Sequence, residues 1–399
     1  MTNRAPDTLK NLVCIFVGLV LSFMLQTMML VAVPLWAIDL GASASAVGII
    51  LSVPYLLPLI FAIPLGGLVT RFGSQKIVFL SSLGMAMSPW IIILFNGYAG
   101  LVLGQLIVGV SHLLFMIASQ SAMASLAQGR TLEKYVGWYT MCVSGGQLLG
   151  PLMAGWLIDH NGIGVTFGIM GFIPIISLLS ALFLTGEMKQ GKHVEKSLSG
   201  YQAQVRLLKT NFGVQTSMVL TIGVMFALGA HASFLPVYLG SISMPATQIG
   251  LLVSLRAFTA LLIRPFMPQL ISLFGGRSKA CILSMVFVAL GLIWTGATSD
   301  FFLLAFFAVL IGIGSGVSQP LSMVVLAENV SAEQRPGALG MRLMGNRAAL
   351  FLAPLLLGFL VELAGFKITC IIAGLLLSLF VFVLLRLSSE RKRVQIEKT

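Results

Sequence analysis

The hydrophobic residues of this chain lie in long runs that are separated by short polar segments. A helix that crosses a lipid bilayer needs about 20 consecutive, mainly apolar residues. Twelve runs of that length occur, near residues 12–35, 46–68, 75–95, 99–126, 135–158, 163–185, 214–238, 247–272, 278–298, 301–326, 337–361 and 366–386. The pattern therefore predicts an all-α membrane protein with twelve transmembrane helices, numbered 1 to 12 in chain order.

A longer polar segment, GEMKQGKHVEKSLSGYQAQVRLLKTN, divides these runs into two groups of six. We therefore predict three parts. They are an N-terminal six-helix bundle at residues 1–185, a cytoplasmic linker at 186–213, and a second six-helix bundle with a basic cytoplasmic tail at 214–399.

The two bundles also resemble each other in sequence. Residues 34–52 match residues 236–254 at a spacing of 202, and residues 137–159 match residues 340–362 at a spacing of 203. Matched positions include glycines, a proline and an acidic residue, which disfavours the alternative of chance similarity between leucine-rich helices. Because six is an even number, the second copy enters the membrane in the same orientation as the first. The sequence thus predicts two parallel repeats.

Composition and charge support this class. The chain is 58% hydrophobic and only 9% charged, whereas soluble domains carry about 25% charged residues. With the N-terminus in the cytoplasm, 19 of the 24 Lys and Arg fall in cytoplasmic segments, one falls on the opposite side and four lie inside spans. Because positive residues collect on the cytoplasmic side, we predict cytoplasmic termini in a bacterial inner membrane, and no nucleic-acid partner. The four cysteines form no CxxC pair, so they predict neither disulfide nor metal site.

The segment GGLVTRFGSQK at residues 66–76 is similar to the loop that follows helix 2 in the major facilitator superfamily. The positions that fit the family pattern are Gly66, Leu68, Arg71, Gly73 and Lys76. Thr70 stands where the family usually has an acid. The resemblance implies that this loop helps to stabilise one conformation of the transporter.

Two further segments extend the resemblance across the chain. GQLLGPLMAGW on helix 5 is similar to an element of antiporters in this superfamily, and it supplies Gly146, Gly150, Pro151 and Gly155. Small residues permit close helix approach, and a proline favours a bend; generic packing is the alternative interpretation. On helix 4, Gln105 stands where the family often has an arginine implicated in proton coupling. The chain resembles the drug/metabolite:proton antiporter branch.

Four arginines lie inside predicted spans, Arg256 and Arg264 on helix 8, and Arg342 and Arg347 on helix 11. A charge within a span is unfavourable by about 2.5–3.5 kcal/mol on insertion scales, and it suggests a functional site. From the helical rise, Arg347 is about 15 Å deep, whereas Arg342 is about 8 Å deep and close enough to extend to the interface. Arginines here could bind a carboxylate or phosphate from a water-filled cavity. Alternatively, they cap helix-end carbonyls or hold the bundles together.

The candidate site contains polar residues from several predicted spans. The candidate substrate-binding residues are Arg256, Arg347, Asn346, Gln26, Gln319 and Gln120. Candidates for proton coupling are His112 and His231, because the pKa of histidine lies near physiological pH. A lone membrane histidine can also be a hydrogen-bonded packing residue.

The sequence contains no Walker motif, nucleophile triad or metal cluster, so we predict neither an enzyme nor a cofactor. The predicted function is secondary transport of a small organic molecule by alternating access. The arginines suggest an anionic substrate. We expect export driven by the proton gradient, or by another ion gradient, from a monomer embedded in lipid. One alternative is an importer or facilitator of an organic anion bearing carboxylate or phosphate. An alternative of another class is a membrane receptor or scaffold that does not transport.

Overall fold

The computed structural model describes residues 5–126, 129–184, 206–331 and 334–396. The first half of the chain forms α1 (Ala5–Asp39), α2 (Ala44–Phe72), α3 (Ser74–Leu94), α4 (Tyr98–Leu126), α5 (Gly129–Asn161) and α6 (Ile163–Leu182). The second half forms α7 (Phe212–Ser241), α8 (Ala246–Ile263), α9 (Arg277–Thr295), α10 (Phe301–Glu328) and a final helical stretch, Arg335–Ile396. Within the described ranges, regular secondary structure is helical throughout.

The final stretch contains two membrane spans. Gly365 interrupts it with a φ of 76° and a ψ of 168°, and we call the two parts α11 (335–364) and α12 (366–396). Among the described residues, eleven helices are long and apolar enough to cross a membrane, and the last of these, Gly337–Glu390, has 54 residues. Because about 20 residues suffice for one crossing, this segment accounts for two. The prediction of an all-α protein with twelve transmembrane helices is confirmed.

The chain folds into two compact units. The first contains the described residues of Met1–Val194 together with Leu239–Ser254, and the second contains those of Glu195–Tyr238 and Leu255–Thr399. The beginning of α8 thus packs with α1–α6. Of the predicted linker, residues 186–205 lie outside the described residues, as do residues 397–399 of the predicted basic tail. The predicted domain boundaries stay a prediction.

Close contacts between helices build each unit. In the first unit, α1 packs along α4, α5 and α6, while α3 packs against α4 and α6. In the second unit, α9 packs against α10 and the final helical stretch. The four cysteines are free thiols. In membranes, helices associate largely through van der Waals packing and interhelical hydrogen bonds, and these contacts position the polar residues described below.

The predicted span at 247–272 is present as Ala246–Leu273, but it is not one regular helix. α8 ends at Ile263, a 3-10 turn follows at Arg264–Phe266, and a short helix runs from Met267 to Leu273. Pro265 and Pro268 lie at this change. A proline lacks the backbone N–H that an interior helical hydrogen bond requires. Arg256 and Arg264 therefore do not lie on one continuous α-helical face.

Candidate functional site

Two arginines of the second unit converge on Gln319 of α10. Arg264 donates from Nη2 to Oε1 of Gln319 at 3.4 Å. Arg342 of α11 donates from Nη2 to the backbone oxygen of Gln319 at 3.1 Å and to Oγ of Ser322 at 2.9 Å. We call Arg264, Gln319, Ser322 and Arg342 the Gln319 cluster. Gln319 is the one member of this cluster that the sequence analysis predicted to bind substrate.

Arg342 does not extend toward the near interface, which corrects the expectation from its depth. Its Nε also donates to Oγ of Ser322, at 3.2 Å, and Ser322 is buried, with an exposed fraction of 1%. Gln319 lies nine positions before the end of α10 at Glu328, about 14 Å from that end along the helix. The guanidinium group therefore points inward, because α10 supplies acceptors that the lipid interior lacks.

One hydrogen bond from α7 and one within α10 hold the segment of α10 that carries the cluster. Ser217 donates from Oγ to the backbone oxygen of Ser322 at 2.7 Å. The hydroxyl of Ser322 donates in turn to the backbone oxygen of Gln319 at 2.8 Å. Helices α7 and α11 and the turn after α8 thus meet at one short segment of α10.

Several other buried polar atoms of the second unit have no hydrogen-bond partner among the described residues. They are Oγ1 of Thr221, Nδ1 of His231, Nε of Arg256 and Oδ1 of Asn346. His231 is buried, with an exposed fraction of 2%, and it lies within electrostatic range of Arg256. Burying a polar group without a hydrogen bond is unfavourable. Such atoms are typical of a site that gains partners when a ligand or water binds.

The segments of sequence around these groups contain no carboxylates. Residues 212–299, 301–327 and 334–361 contain neither Asp nor Glu. An ion pair does form at the surface of the second unit, between Arg277 and Glu328, but both side chains are about half exposed. The three segments therefore offer no carboxylate to the arginines that they carry. Arg347 is half-buried on α11.

Two of the polar candidates of the first unit, His112 and Gln120, have hydrogen-bond partners on neighbouring helices of that unit. Nδ1 of His112 lies 2.8 Å from Oγ of Ser22, and the ring packs edge-on against Phe23 at 4.6 Å between centroids. Gln120 is exposed and donates from Nε2 to the hydroxyl of Tyr139 at 3.2 Å. Gln26 is half-buried on α1. The geometry of His112 matches that of a packing histidine, and its predicted coupling role stays a prediction.

The loop motif at 66–76 forms the end of α2 and a tight connection to α3. Gly73 has a φ of 82°, in the left-handed region that glycine adopts without strain, and its N–H caps α2 through the backbone oxygen of Val69. Arg71 and Lys76 are exposed, and the Arg71 guanidinium lies 5.3 Å from the ring of Phe72. Gly66 lies within α2. The motif thus shapes a sharp turn, while its conformational role stays a prediction.

Three glycines of α5, Gly146, Gly150 and Gly155, lie at two close helix contacts in the first unit. A Cβ at Gly146 would lie 2.5 Å from the backbone oxygen of Val20 in α1, and one at Gly150 would lie 2.5 Å from that of Met24. A Cβ at Gly155 would lie 2.2 Å from the backbone oxygen of Ala246 at the start of α8.

Pro151 takes part in the second of these contacts. A Cβ on Gly250 of α8 would lie 2.1 Å from the backbone oxygen of Pro151, and Ser254 donates from Oγ to the backbone oxygen of Leu148 at 2.7 Å. The antiporter-like element thus packs α5 against α1 on one side and against the first turns of α8 on the other.

Asp159, at the end of α5, caps the start of α8. Its Oδ1 accepts the backbone N–H of Ala246 at 2.9 Å, and its Oδ2 accepts that of Thr247 at 2.7 Å. The first N–H groups of a helix have no intrahelical partner, and a carboxylate there is also favoured by the helix dipole. The sequence analysis did not identify this role. One feature of the sequence could have suggested it. Met244 and Pro245, which precede α8, have no side chain that can cap the helix, so the cap must come from elsewhere.

We expect Asp159→Ala to destabilise the protein by about 0.5–2 kcal/mol, the usual effect of losing an N-cap. The measurement is thermal unfolding of the purified protein in detergent. Asp39→Ala is the matched control, since Asp39 is an exposed acid at the end of α1. Equal melting temperatures for the two variants would contradict the capping role.

Comparison with known proteins places the chain in a family. The model of the Major Facilitator Superfamily matches residues 15–244 and 217–399. The multidrug resistance protein MdtG of Salmonella arizonae is 27% identical over 92% of this chain and 93% of its own length. The staphylopine export protein of Staphylococcus aureus is 22% identical over 87% of this chain and 88% of its own length.

Solved structures show the same fold. A mutant of the nucleoside transporter NupG superposes with a TM-score of 0.80 at 15% identity, covering 94% of this chain and 99% of that one. A bacterial homolog of the human lysosomal transporter Spinster, in an inward-facing, occupied conformation, gives 0.79 at 14% identity, with 97% and 98% covered. The twelve helices therefore form the two six-helix repeats of this fold, and the chain belongs to the major facilitator superfamily of membrane transporters.

Proposed function

We propose that this chain is a secondary active transporter that exports a small organic anion by alternating access, driven by the proton gradient. The observation that carries the proposal is the set of arginines inside the second unit, in segments 212–299 and 334–361, which contain neither Asp nor Glu. A buried guanidinium group without a carboxylate is unfavourable. An anionic substrate would supply negative charge that these two segments do not.

Arg256 is the central residue of this proposal. Its side chain is half-buried, and its Nε has no hydrogen-bond partner in the part of the chain that the structure describes. A guanidinium group can bind a carboxylate or phosphate through two parallel hydrogen bonds. Asn346 and Arg347 lie on α11 of the same unit and complete the proposed set there, while Gln26 and Gln120 are its proposed members in the first unit.

Two features support export and proton coupling. The curated relatives include proteins named for multidrug resistance and for staphylopine export. His231 offers a buried Nδ1 without a hydrogen-bond partner in the described ranges, close enough to Arg256 to respond to its charge. Substrate binding at Arg256 would change the electrostatic field at His231 and so its proton affinity. His112 is a second, hydrogen-bonded candidate.

Orientation and assembly belong to the same proposal. The bias of Lys and Arg toward one side supports cytoplasmic termini in a bacterial inner membrane, and a monomer is sufficient for the mechanism. We assign the conformational steps to the loop of Gly66, Arg71, Gly73 and Lys76 and to the glycine-rich face of α5.

Everted membrane vesicles test the direction and the driving force. Vesicles that contain the protein should accumulate an acidic fluorescent dye, such as carboxyfluorescein, at least about tenfold above vesicles without it, since a proton gradient can sustain that ratio with only about 1.4 kcal/mol. A protonophore should abolish the accumulation. A panel of acidic, neutral and cationic dyes guards against the choice of one poor substrate.

The alternative of an organic-anion importer or facilitator gives a different result. An importer would load right-side-out vesicles, and a facilitator would equilibrate the dye with or without the protonophore. Absence of protein-dependent movement for every dye in both orientations would favour the receptor or scaffold alternative.

A further inference from the structure

We propose that a cavity beside His231 binds one water molecule, and that this water carries protons between His231 and the helix ends that we place opposite the cytoplasm. The inference deepens the proposed function, on which it rests for the role of His231 in proton coupling. It assigns the proton a path inside the second unit, formed by residues that the proposed substrate site does not use.

The cavity has a volume of about 20 Å³ and lies between α7, α9, α11 and α12. A buried water requires space of about 10–15 Å³ on this measure. The cavity wall includes His231, Thr295, Thr369 and Cys370. His231 is 2% exposed, and its Nδ1 has no hydrogen-bond partner in the described part of the chain. The cavity therefore has room for one water beside a buried imidazole that lacks a partner at Nδ1.

Two threonines of the wall supply acceptors for this water. Thr295 donates from Oγ1 to the backbone oxygen of Gly291 at 2.7 Å, and Thr369 donates from Oγ1 to that of Gly365 at 2.8 Å. A hydroxyl has one hydrogen but two lone pairs, so both oxygens can still accept. With a proton on Nδ1 of His231, the water would accept from that nitrogen and donate to the two threonines. A buried water typically makes about three hydrogen bonds.

The internal repeat explains why the second unit has this space. At a spacing of 203, Cys370 corresponds to Phe167 of the first unit. Phe167 is fully buried and packs edge-on against Trp36, with 4.9 Å between the ring centroids. Cysteine is much smaller than phenylalanine, so it leaves volume beside α7. His231 itself corresponds to Met29 at a spacing of 202. The ionisable side chain and the smaller neighbour thus occur together in the second repeat.

The cavity wall extends from His231 to one end of the helices. It includes Tyr238 and Phe366, which are half-buried and whose ring centroids lie 5.3 Å apart. Tyr238 is seven residues after His231 on α7, about 10 Å along the helix. Thr295 is the last residue of α9, and Phe366 directly follows the break at Gly365. The orientation proposed above places these helix ends opposite the cytoplasm, so a proton would enter from that side.

The charges around His231 favour a neutral occupant. Arg256 lies within electrostatic range of the imidazole. The other titratable residues of the cavity wall are Tyr238 and Cys370, while α9 and α11 contribute residues that do not titrate, and no Asp or Glu belongs to the wall among the described residues. A metal cation would be repelled by Arg256 without a carboxylate to offset it. Water can relay a proton and stay neutral, because its oxygen receives one proton as it releases another.

Solid-state NMR of the full-length protein in liposomes tests the water site without a transport assay. The chain has four histidines, so the ¹⁵N imidazole signals of His231 are identified by their loss in His231→Gln. We expect polarisation to pass from water to Nδ1 of His231 in the native chain. Cys370→Phe introduces the larger side chain of the first repeat and should abolish this transfer, whereas Cys370→Ser should keep it. No transfer in the native chain, or equal transfer in Cys370→Phe, would overturn the proposal.

Threonine variants keep the test decisive if Cys370→Phe fails to fold. Thr295→Val and Thr369→Val nearly keep the shape but remove an acceptor, so each should weaken the transfer about three- to tenfold, the usual effect of losing one hydrogen bond. Thr166→Val is the matched control. Thr166 corresponds to Thr369 in the repeat, is buried, and donates to the backbone oxygen of Gly162 at 2.8 Å. Unchanged transfer in both cavity variants, or the same loss in Thr166→Val, would overturn the assignment.

Transport in everted vesicles tests whether the water serves the proton path. Because Thr369→Val removes a partner of the water that holds the proton, its export should need a lumenal pH lower by about 0.5–1 unit, the same three- to tenfold factor in proton concentration. Thr166→Val should keep the native pH profile. An unchanged profile in Thr369→Val would overturn the proton path. The two proposals also fail separately. Proton-driven export without water transfer to His231 removes this inference alone, while water transfer without proton-driven export removes the proposed coupling and leaves the water site.

Discussion

The double variant Gly146→Ala/Gly150→Ala is expected to abolish recovery of folded protein. A Cβ at Gly146 would approach the backbone nitrogen of Met24 at 2.9 Å as well as the backbone oxygen of Val20, and one at Gly150 would lie 2.0 Å from Oγ1 of Thr27. Backbone atoms cannot move aside as a flexible side chain can, so α5 must separate from α1. Overpacking of this kind destabilises by about 1–3 kcal/mol per site, and two sites approach the total stability of about 5–15 kcal/mol that domains possess.

The same helix provides the control for this prediction. Gly137 and Gly145 also lie in α5, and a Cβ at either position would meet no atom within 4 Å. Gly137→Ala/Gly145→Ala should therefore keep or slightly raise the melting temperature, because alanine favours a helix over glycine by about 1 kcal/mol. Size-exclusion profiles and thermal unfolding in detergent measure both pairs. Similar behaviour of the two double variants would show that the close α1–α5 contact is dispensable.

Arg256→Met is expected to stabilise the protein and to remove transport of acidic compounds. Methionine is apolar and flexible enough to fill the space of the arginine stem, and it does not require a hydrogen bond at the buried Nε. Replacing buried charged groups by apolar residues of similar volume can stabilise a protein by about 1–4 kcal/mol. The same change deletes the cation that we assign to the substrate, so accumulation of an acidic dye in everted vesicles should fall at least about tenfold.

Thermal unfolding and vesicle transport on one preparation give both readouts. Arg277→Met is the control, since this arginine is half exposed and paired with Glu328, and an exposed pair contributes about 0–1 kcal/mol. It should change stability little and should keep transport. A lower melting temperature for Arg256→Met would instead support the structural alternative, in which the guanidinium group holds helices together. Normal transport of acidic dyes by the variant would remove Arg256 from the proposed site.

Hydropathy predicted the fold class because the bilayer leaves few choices. Every backbone polar group inside it must be satisfied within the spanning segment, so a long apolar run becomes a helix. The predicted runs 337–361 and 366–386 lie in one helical stretch, and Gly365 lies where that stretch breaks. Prolines also mark where a regular helix ends. Pro265 and Pro268 accompany the end of α8, which the apolar run alone had concealed.

The candidate site was less accessible to sequence reasoning. The rarity of charge in a membrane span was enough to single out the four arginines. Depth along a helix then suggested that Arg342 reaches the interface, whereas its guanidinium group turns toward Gln319 and Ser322. Depth is a property of one helix, but the direction of a long side chain depends on which acceptors the neighbouring helix presents.

The sequence by itself determined the twelve spans, the repeat and the family resemblance, because each depends on residues that are close along the chain or on a fixed spacing. Only the tertiary structure decided which polar groups meet. Arg264 and Gln319 are 55 residues apart, and Asp159 and Ala246 are 87 apart. Whether such residues touch depends on the rotation and crossing of packed helices. Those follow from many small van der Waals contacts, none of which has a signature in a single segment.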